Sequence, residues 1–205
     1  MVTGTRADYG LLKPLLTRIL DADALQLQLC ITGTHLSPEY GLTVGEIISD
    51  GFTVDDSVEL LLSSDSSVGI SKAIGLGVIG FADVFRRLDP DCVLVLGDRY
   101  EILAASISAM ASALPIAHLH GGELTESMMD DAIRHSITKM SYFHFVATED
   151  YRNRVLQLGE DPRYVHNVGG MGVDSIRDLS FMEREELEHS LGFSFLDKKF
   201  YRGQI

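Results

Sequence analysis

Short apolar runs alternate along the chain with longer stretches of helical period, and this alternation limits the possible folds more than any other feature. The runs are rich in Val, Ile and Leu, and several are apolar at consecutive positions, as parallel strands buried on both faces are. Strands that alternate with helices form βαβ units, so the sequence predicts an α/β domain with a parallel sheet flanked by helices. The predicted strands are 1–3, 25–32, 52–55, 92–96, 116–119, 143–147 and 164–168, and the predicted helices are 9–21, 42–50, 66–88, 100–113, 129–140, 149–158 and 183–191.

Composition and charge limit the classes of molecule that we expect the protein to bind. A chain of 205 residues suits one domain, and its formal charge of −13 repels nucleic acid and anionic membranes. Local arginines and helix N-termini still permit an anionic small substrate. Cys30 and Cys92 lie in apolar runs without metal-ligand or redox spacing, so we expect core thiols in a cytoplasmic protein. We find no targeting signal and no run of about 18–20 apolar residues, so we expect no membrane partner.

A glycine turn at residues 4–10 joins the first predicted strand to the first helix. Such a turn offers backbone N–H groups and a positive helix end to a phosphate, with Arg6 as a fork-shaped donor and Lys13 one helical turn further on. It lacks the Gly-Lys-Ser/Thr ending of a P-loop. The alternative is an ordinary turn after a strand with a surface arginine, and both interpretations stay open here.

Gly75, Gly77 and Gly80 match the spacing G-x-G-x-x-G of dinucleotide-binding turns, and Asp98 follows near the expected distance. That fingerprint requires a strand, then the turn, then a helix, whereas these glycines lie inside a predicted helix. We therefore expect no NAD cofactor. The glycines are predicted to let this helix pack closely.

Asp98 and Arg99 directly follow the apolar strand 92–96. Ligands of open α/β sheets bind beyond the carboxyl ends of strands, so both residues are candidates for a binding or catalytic site. Glu101 can face the next helix instead. For Asp98 taken alone, a helix N-cap is an equally good interpretation.

The strand 116–119 also runs into a glycine turn, made by His120, Gly121, Gly122 and Glu123. The two glycines let the backbone approach a ligand and aim Glu123 into the cleft. His118 and His120 share one face of a strand, which suggests a metal site. The sequence offers no clear third ligand, so we expect no metal ion at this position.

Asp131, Arg134, His135 and Thr138 recur at spacings of three and four in the helix 129–140, which places them on one face. A solvated charged face is the alternative for this helix alone. Together with Asp98 and Glu123, however, Asp131 completes a set of three carboxylates that one cleft can collect. Like charges held close raise a pKa, which would supply the acid and base of a proton transfer.

At these residues the sequence resembles the UDP-N-acetylglucosamine 2-epimerase family, and above all its hydrolysing branch. The matching strings are TGTRADYG, LGDRYE, HLHGGE, DDAIRHSITK and NVGGMGVDSI, and the resemblance runs from Val2 to about Asp197. It implies the N-terminal half of a GT-B fold, in which two Rossmann-like domains face each other across a cleft. Residues 1–180 would form this domain, and residues 181–205 would begin the interdomain region and end in a divergent tail.

The resemblance also implies a reaction and the residues that perform it. UDP-N-acetylglucosamine and water would give N-acetylmannosamine and UDP, for sialic acid or a related nonulosonate. Asp98, Glu123 and Asp131 would be the acid/base set, with His135 in support. The substrate-binding residues would be Arg6, Lys13, Arg99, His120, Gly121, Gly122 and Arg134. No cofactor is implied, and the full-length form is expected to be a homo-oligomer.

Three alternatives accompany this interpretation. One is a non-hydrolysing epimerase, and another is an epimerase for a different UDP-sugar, as in the legionaminic acid pathway. The third is an inactive fragment, because the sequence matches only the first domain and residues 198–205 depart from the family's continuation. Half a cleft positions a substrate poorly, so we expect negligible activity from the 205 residues alone.

Overall fold

The computed structural model describes residues 1–62, 64, 66–126, 128–177 and 182–193, and in these ranges parallel strands alternate with helices as predicted. The strands of the described ranges are β1 (Val2–Thr3), β2 (Cys30–Thr32), β3 (Asp56–Val58), β4 (Val93–Leu96), β5 (Ile116–Leu119), β6 (Phe143–Val146) and β7 (Val165–Asn167). The α-helices are α1 (Arg6–Leu20), α2 (Val44–Ser49), α3 (Ser67–Leu88), α4 (Tyr100–Ala111), α5 (Met128–Met140), α6 (Glu149–Gln157), α7 (Met171–Arg177) and α8 (Arg184–Leu191).

The strands form two hydrogen-bonded groups that lie side by side. One group has the order β1-β2-β3 and the other the order β4-β5-β6-β7, and every pairing is parallel. β1 lies next to β4, so the order across the molecule is β3-β2-β1-β4-β5-β6-β7. The strand order therefore runs outward from β1 to β3 on one side of the sheet and from β4 to β7 on the other. The carboxyl ends of these two strands form a topological switch point, where open α/β sheets bind ligands.

Both faces of the sheet are covered at β4, which explains why this strand is apolar throughout. Val93 and Val95 of β4 point to the face packed by α3, α4 and α5, whereas Leu94 and Leu96 point to the face packed by α1 and α2. Fully burying one such aliphatic side chain stabilises the fold by about 1.5–3 kcal/mol. The alternation along β4 therefore joins two hydrophobic cores through a single strand.

The glycines of the apparent dinucleotide motif lie in the middle of α3, as predicted. A Cβ on Gly77 would lie 2.8 Å from the Cβ of Ala104, and one on Gly80 would lie 2.6 Å from Cγ1 of Val58. Both distances are too short for a real side chain, so the glycines allow α3 to pack closely against α4 and β3. By length and composition α3 reaches the range of a membrane span, with a mean hydropathy of 1.6, yet Phe81 on its inner face is fully buried in the core of this domain.

Three predictions about the first half of the chain are wrong in detail. The second strand covers only Cys30–Thr32 of the predicted range 25–32. The third strand is not 52–55 but Asp56–Val58, because the Asp55 carboxylate accepts a hydrogen bond from the Leu29 N–H at 2.6 Å and the regular ladder with β2 begins after it. Phe52 is instead a buried core residue. Cys30 is buried as expected, but Cys92 is exposed because β4 begins only at the next residue.

The sequence also missed α7, a short helix after β7 whose apolar positions are too few to show a helical period. Near the C-terminus, the predicted helix 183–191 is present as α8. The proposed boundary at residue 180 and the divergent residues 198–205 lie outside the described residues.

Candidate active site

The turns after β1, β4 and β5 meet at the switch point, and their backbone conformations explain how they present side chains. Gly97 after β4 has a φ of 80° and Gly122 after β5 has a φ of 78°. His120 also adopts the left-handed region, with a φ of 62°, which is costly for a residue with a Cβ. Each turn therefore leaves its strand sharply, and the polar residues that follow gather at one edge of the sheet.

Arg134 of α5 connects the candidate residues of the β4 and β5 turns. Its guanidinium forms a short ion pair with Asp98 and donates to the backbone oxygen of His120 at 2.8 Å. It also lies 3.7 Å from the Glu123 carboxylate. Thr125 completes the group, since its hydroxyl donates to Asp98 and accepts from Arg134, each at 3.1 Å. The Arg134 side chain is only 9% exposed, so these contacts are largely shielded from water.

Glu123 and His120 form a second close pair, with 2.9 Å between Oε1 and Nδ1. Burial opposes ionisation of Glu123, but the hydrogen bond from His120 and the positive charge of Arg134 outweigh it and hold the pKa of Glu123 below its usual range. Glu123 is therefore not a member of the carboxylate set whose pKa is raised. Its ionised form is favoured, which suits a base or an anionic stabiliser better than an acid.

Asp131 joins the same group through the backbone, because its carboxylate accepts a hydrogen bond from the Thr125 N–H at 3.1 Å. His135 lies one helical turn along α5, and its Nε2 is 3.7 Å from the Asp131 carboxylate. Nδ1 of His135 is buried and has no hydrogen-bond partner within the described residues. Asp98, Glu123 and Asp131 are thus brought together, directly or through Thr125, as the sequence predicted.

His118 has a different environment from His120 although both precede the same turn. It is fully buried, with Nε2 2.8 Å from the Gly97 oxygen and Nδ1 3.2 Å from the Thr138 hydroxyl. Burial lowers its pKa to about 3, so the ring is neutral and ties the β4 turn to α5. In the part of the chain that the structure describes, no three metal-ligating side chains come together.

Gly121 and Gly122 are required by the packing of the protein itself. A Cβ on Gly122 would lie 2.5 Å from the backbone oxygen of Tyr151 in α6, and one on Gly121 would lie 3.2 Å from Nδ1 of His118. Arg154 of α6 also forms a short hydrogen bond to the Gly122 oxygen. Approach of a ligand to these glycines stays a prediction, because the contact of Gly122 with α6 and that of Gly121 with His118 already account for the residue type.

The basic residues predicted to bind phosphate lie in two different environments. Arg6 is exposed and pairs with Glu46 at 3.0 Å, and Lys13 pairs with Asp50 at 2.7 Å, so both point toward α2. Arg99 instead lies beside the carboxylates at the switch point. The structure therefore brings Arg99 and Arg134 together with the carboxylates, whereas Arg6 and Lys13 pair with acidic residues in and just after α2, and their binding of phosphate stays a prediction.

The family model for UDP-N-acetylglucosamine 2-epimerase matches residues 18–201 of the chain. The chain belongs to this epimerase family. It is 42% identical, over 98% of its length and 52% of the relative's, to a protein of Campylobacter jejuni named GDP/UDP-N,N'-diacetylbacillosamine 2-epimerase (hydrolyzing). It is 40% identical, over 93% of its length and 49% of the relative's, to a polysialic acid biosynthesis protein of Escherichia coli. The chain spans about half the length of these curated relatives.

A solved structure supports the same fold. The UDP-GlcNAc 2-epimerase from Neisseria meningitidis bound to UDP-GlcNAc superimposes with a TM-score of 0.75 at 23% identity, covering 93% of this chain and 50% of the other. The domain is thus the Rossmann-like N-terminal half of a GT-B fold, as predicted.

Three residues of this epimerase domain gained importance only from the structure. Thr125 links Asp98 to Asp131, Glu101 is fully buried beside Arg99, and Asp8 lies among the charges of the β4 turn. Burial raises the pKa of Asp8, although a hydrogen bond to Thr5 partly opposes the shift. Asp8 and Glu101 stand in the strings TGTRADYG and LGDRYE, and that position was the only sequence signal for either residue.

Proposed function

We propose that the protein is the N-terminal half of a hydrolysing UDP-N-acetylglucosamine 2-epimerase, which converts UDP-N-acetylglucosamine and water to N-acetylmannosamine and UDP. The observation that carries the proposal is the convergence of Asp98, Glu123 and Asp131 around Arg134 at the switch point. This arrangement combines carboxylates for proton transfer with buried positive charge, and both lie where an open α/β sheet receives a ligand.

The reaction explains why such a site is needed. C2–H of the sugar is not next to a carbonyl group, so a base removes this proton only as the C1–O bond to UDP breaks. The C–H electron pair becomes the C1=C2 double bond of a 2-acetamidoglucal, and the C1–O pair leaves with UDP. Water then adds its hydroxyl to C1 while a proton returns to the opposite face of C2. The enzyme must therefore supply a base, an acid and donors that stabilise the leaving diphosphate.

The residues present can be assigned to these roles. The lowered pKa of Glu123 keeps it ionised and supports a role as the base or as the group that stabilises positive charge at C1. Asp98 and Asp131 complete the acid/base set, and His135 supports Asp131. Arg99 is the cation best placed for the diphosphate, with a side chain 43% exposed beside the carboxylates.

A second substrate is favoured by one specific comparison. The Campylobacter jejuni relative is named for N,N'-diacetylbacillosamine, a sugar with a second acetamido group. Its reaction needs the same bond changes at C1 and C2, so the described site serves either substrate. UDP-N,N'-diacetylbacillosamine is therefore the alternative to UDP-N-acetylglucosamine.

The test is product analysis with both UDP-sugars in heavy water. The assay uses the 205-residue chain and, separately, this chain fused to the second half of the Campylobacter jejuni relative. We expect the fusion to release UDP together with a 2-epimerised free sugar that carries one deuterium at C2. A UDP-linked epimer as the lasting product would show a non-hydrolysing enzyme, and no deuterium at C2 would exclude the elimination mechanism.

The variant Glu123→Gln tests whether this carboxylate takes part in the reaction. It keeps the shape of the side chain and removes its negative charge, so we expect turnover to fall by about 10²–10⁴-fold. Unchanged turnover would rule Glu123 out of the acid/base set.

Two further statements belong to this proposal. One is a cytoplasmic location, which the free Cys30 and Cys92 support, and the other is a homo-oligomeric full-length form.

A further inference from the structure

Glu101 is a fully buried carboxylate that the acid/base set does not use. It lies in the first turn of α4, directly after the β4 turn, and its side chain is 0% exposed. Its Oε1 accepts a hydrogen bond from Nη2 of Arg99 at 3.1 Å, whereas no hydrogen bond reaches its buried Oε2 from any described residue. Burying a half-satisfied carboxylate costs free energy, so stability alone does not explain this residue.

The backbone around Glu101 is shaped to make room for it. A Cβ on Gly33, after β2, would lie 3.2 Å from Oε1 of Glu101 and 2.8 Å from the Gly4 oxygen. A Cβ on Gly4, after β1, would lie 3.6 Å from the Glu101 Cβ. Glu101 therefore occupies the point where the turns after β1, β2 and β4 converge, directly beneath the switch point.

Arg99 has a buried and an exposed part. Its Nε is buried and has no hydrogen-bond partner in the ranges the structure describes, while 43% of its side chain reaches solvent. Asp8, at the start of α1, is a second carboxylate within electrostatic reach of both Arg99 and Glu101. The guanidinium is thus held directly by one buried carboxylate, that of Glu101, and this hydrogen bond restricts its orientation.

We propose that Glu101 is a positioning residue that holds the Arg99 guanidinium toward the open side of the switch point to bind the substrate diphosphate. This inference rests on the proposed function, because it takes the ligand to be a nucleoside diphosphate. A fixed guanidinium loses less side-chain entropy when it binds phosphate oxygens, so removing its support weakens binding. A purely structural role would instead appear as lost stability.

The test measures binding of UDP and of inorganic pyrophosphate to the 205-residue chain by ³¹P NMR, together with thermal unfolding. Glu101→Leu keeps an apolar side chain in the buried space and removes the contact with Arg99, and Glu101→Gln removes only the charge. We expect Glu101→Leu to weaken binding of both ligands by about tenfold or more, because one charge-assisted hydrogen bond is lost. Glu101→Gln should recover part of that loss. The melting temperature should fall by no more than about 2 °C.

Side-chain NMR of Arg99 gives a second measurement. Its Nε–H signal should be sharp in the wild type and broadened or averaged in Glu101→Leu. The matched control is Asp83→Leu, which removes an exposed carboxylate paired with Arg86 at 3.5 Å on α3 and should leave binding unchanged.

The inference is overturned if Glu101→Leu binds UDP within about twofold of the wild type, or if the wild type shows no binding at about 10 mM. If Glu101→Leu does not fold, Glu101→Gln decides by the same criterion. Failure of the proposed function looks different, because the fusion would then bind UDP through Arg99 but form no epimerised sugar.

Discussion

Replacing Arg134 with methionine tests the central contact of the candidate site. The side chains of Arg134 and Asp98 are 9% and 18% exposed, so the variant leaves a poorly hydrated carboxylate without its counterion. Breaking a buried ion pair in this way costs about 3–5 kcal/mol. For a domain of this size, such a loss lowers the melting temperature by about 6–20 °C. Arg86→Met is the matched control, because Arg86 and Asp83 are 80% and 60% exposed and their pair should contribute about 0–1 kcal/mol.

The pH dependence of this loss distinguishes electrostatics from packing. Glu123 has a lowered pKa in the folded protein, so its ionised form stabilises the fold above about pH 4.5 and this contribution disappears as the pH falls through the folded-state pKa. The positive charge of Arg134 supplies part of this stabilising contribution. Thermal unfolding of wild type and Arg134→Met between neutral and acid pH should therefore show a difference that is widest near pH 7 and narrows in acid. A difference that is equal at every pH, or below about 1 °C, would refute this reasoning.

Two further substitutions probe the β5 turn. Gly122→Ala should destabilise the fold by about 2–4 kcal/mol in urea unfolding, since the new Cβ is strained at positive φ and meets the Tyr151 oxygen, whereas Gly159→Ala, at a φ of 89° with no atom within 4 Å, should cost only about 1 kcal/mol; equal losses would contradict the clash. His120→Gly relieves a left-handed backbone but removes the contact with Glu123, so stability should stay within about 1 kcal/mol of the wild type while UDP release by the fusion falls at least about tenfold. Full activity of that variant would exclude a role for His120 in the site.

Much of the fold follows from patterns that are local in the chain. Leu94 and Val95 are consecutive apolar residues, which predicts a strand packed on both faces, and the structure places them in opposite cores. Gly77 predicts close packing of α3 for the same local reason. The third strand was misplaced because Asp55 takes a ladder hydrogen bond with its side chain, an event that apolar periodicity does not reveal.

In the candidate site too, some features could be predicted from the sequence and others could not. Asp98 and Glu123 were identified from their positions after strands, since parallel strands end at a common edge whatever their side chains do. The partners of Arg6 and Lys13 could not be identified in this way, because Glu46 and Asp50 lie in and just after α2, whose docking depends on the whole core. Such contacts join residues far apart in the chain, so their geometry depends on helix placement.

The sequence by itself determined the order of the strands and of most helices, the acidic turns at the ends of strands and the membership of an epimerase family. Only the tertiary structure decided that Arg134 lies between Asp98 and Glu123, that Thr125 carries Asp131 into the group, and that buried Glu101 supports Arg99. The physical reason is the distance along the chain over which each kind of interaction acts. Strand and helix preferences act over a few neighbouring residues, whereas charge pairing in a shielded site depends on distances of a few ångströms between elements that meet only when the domain has folded.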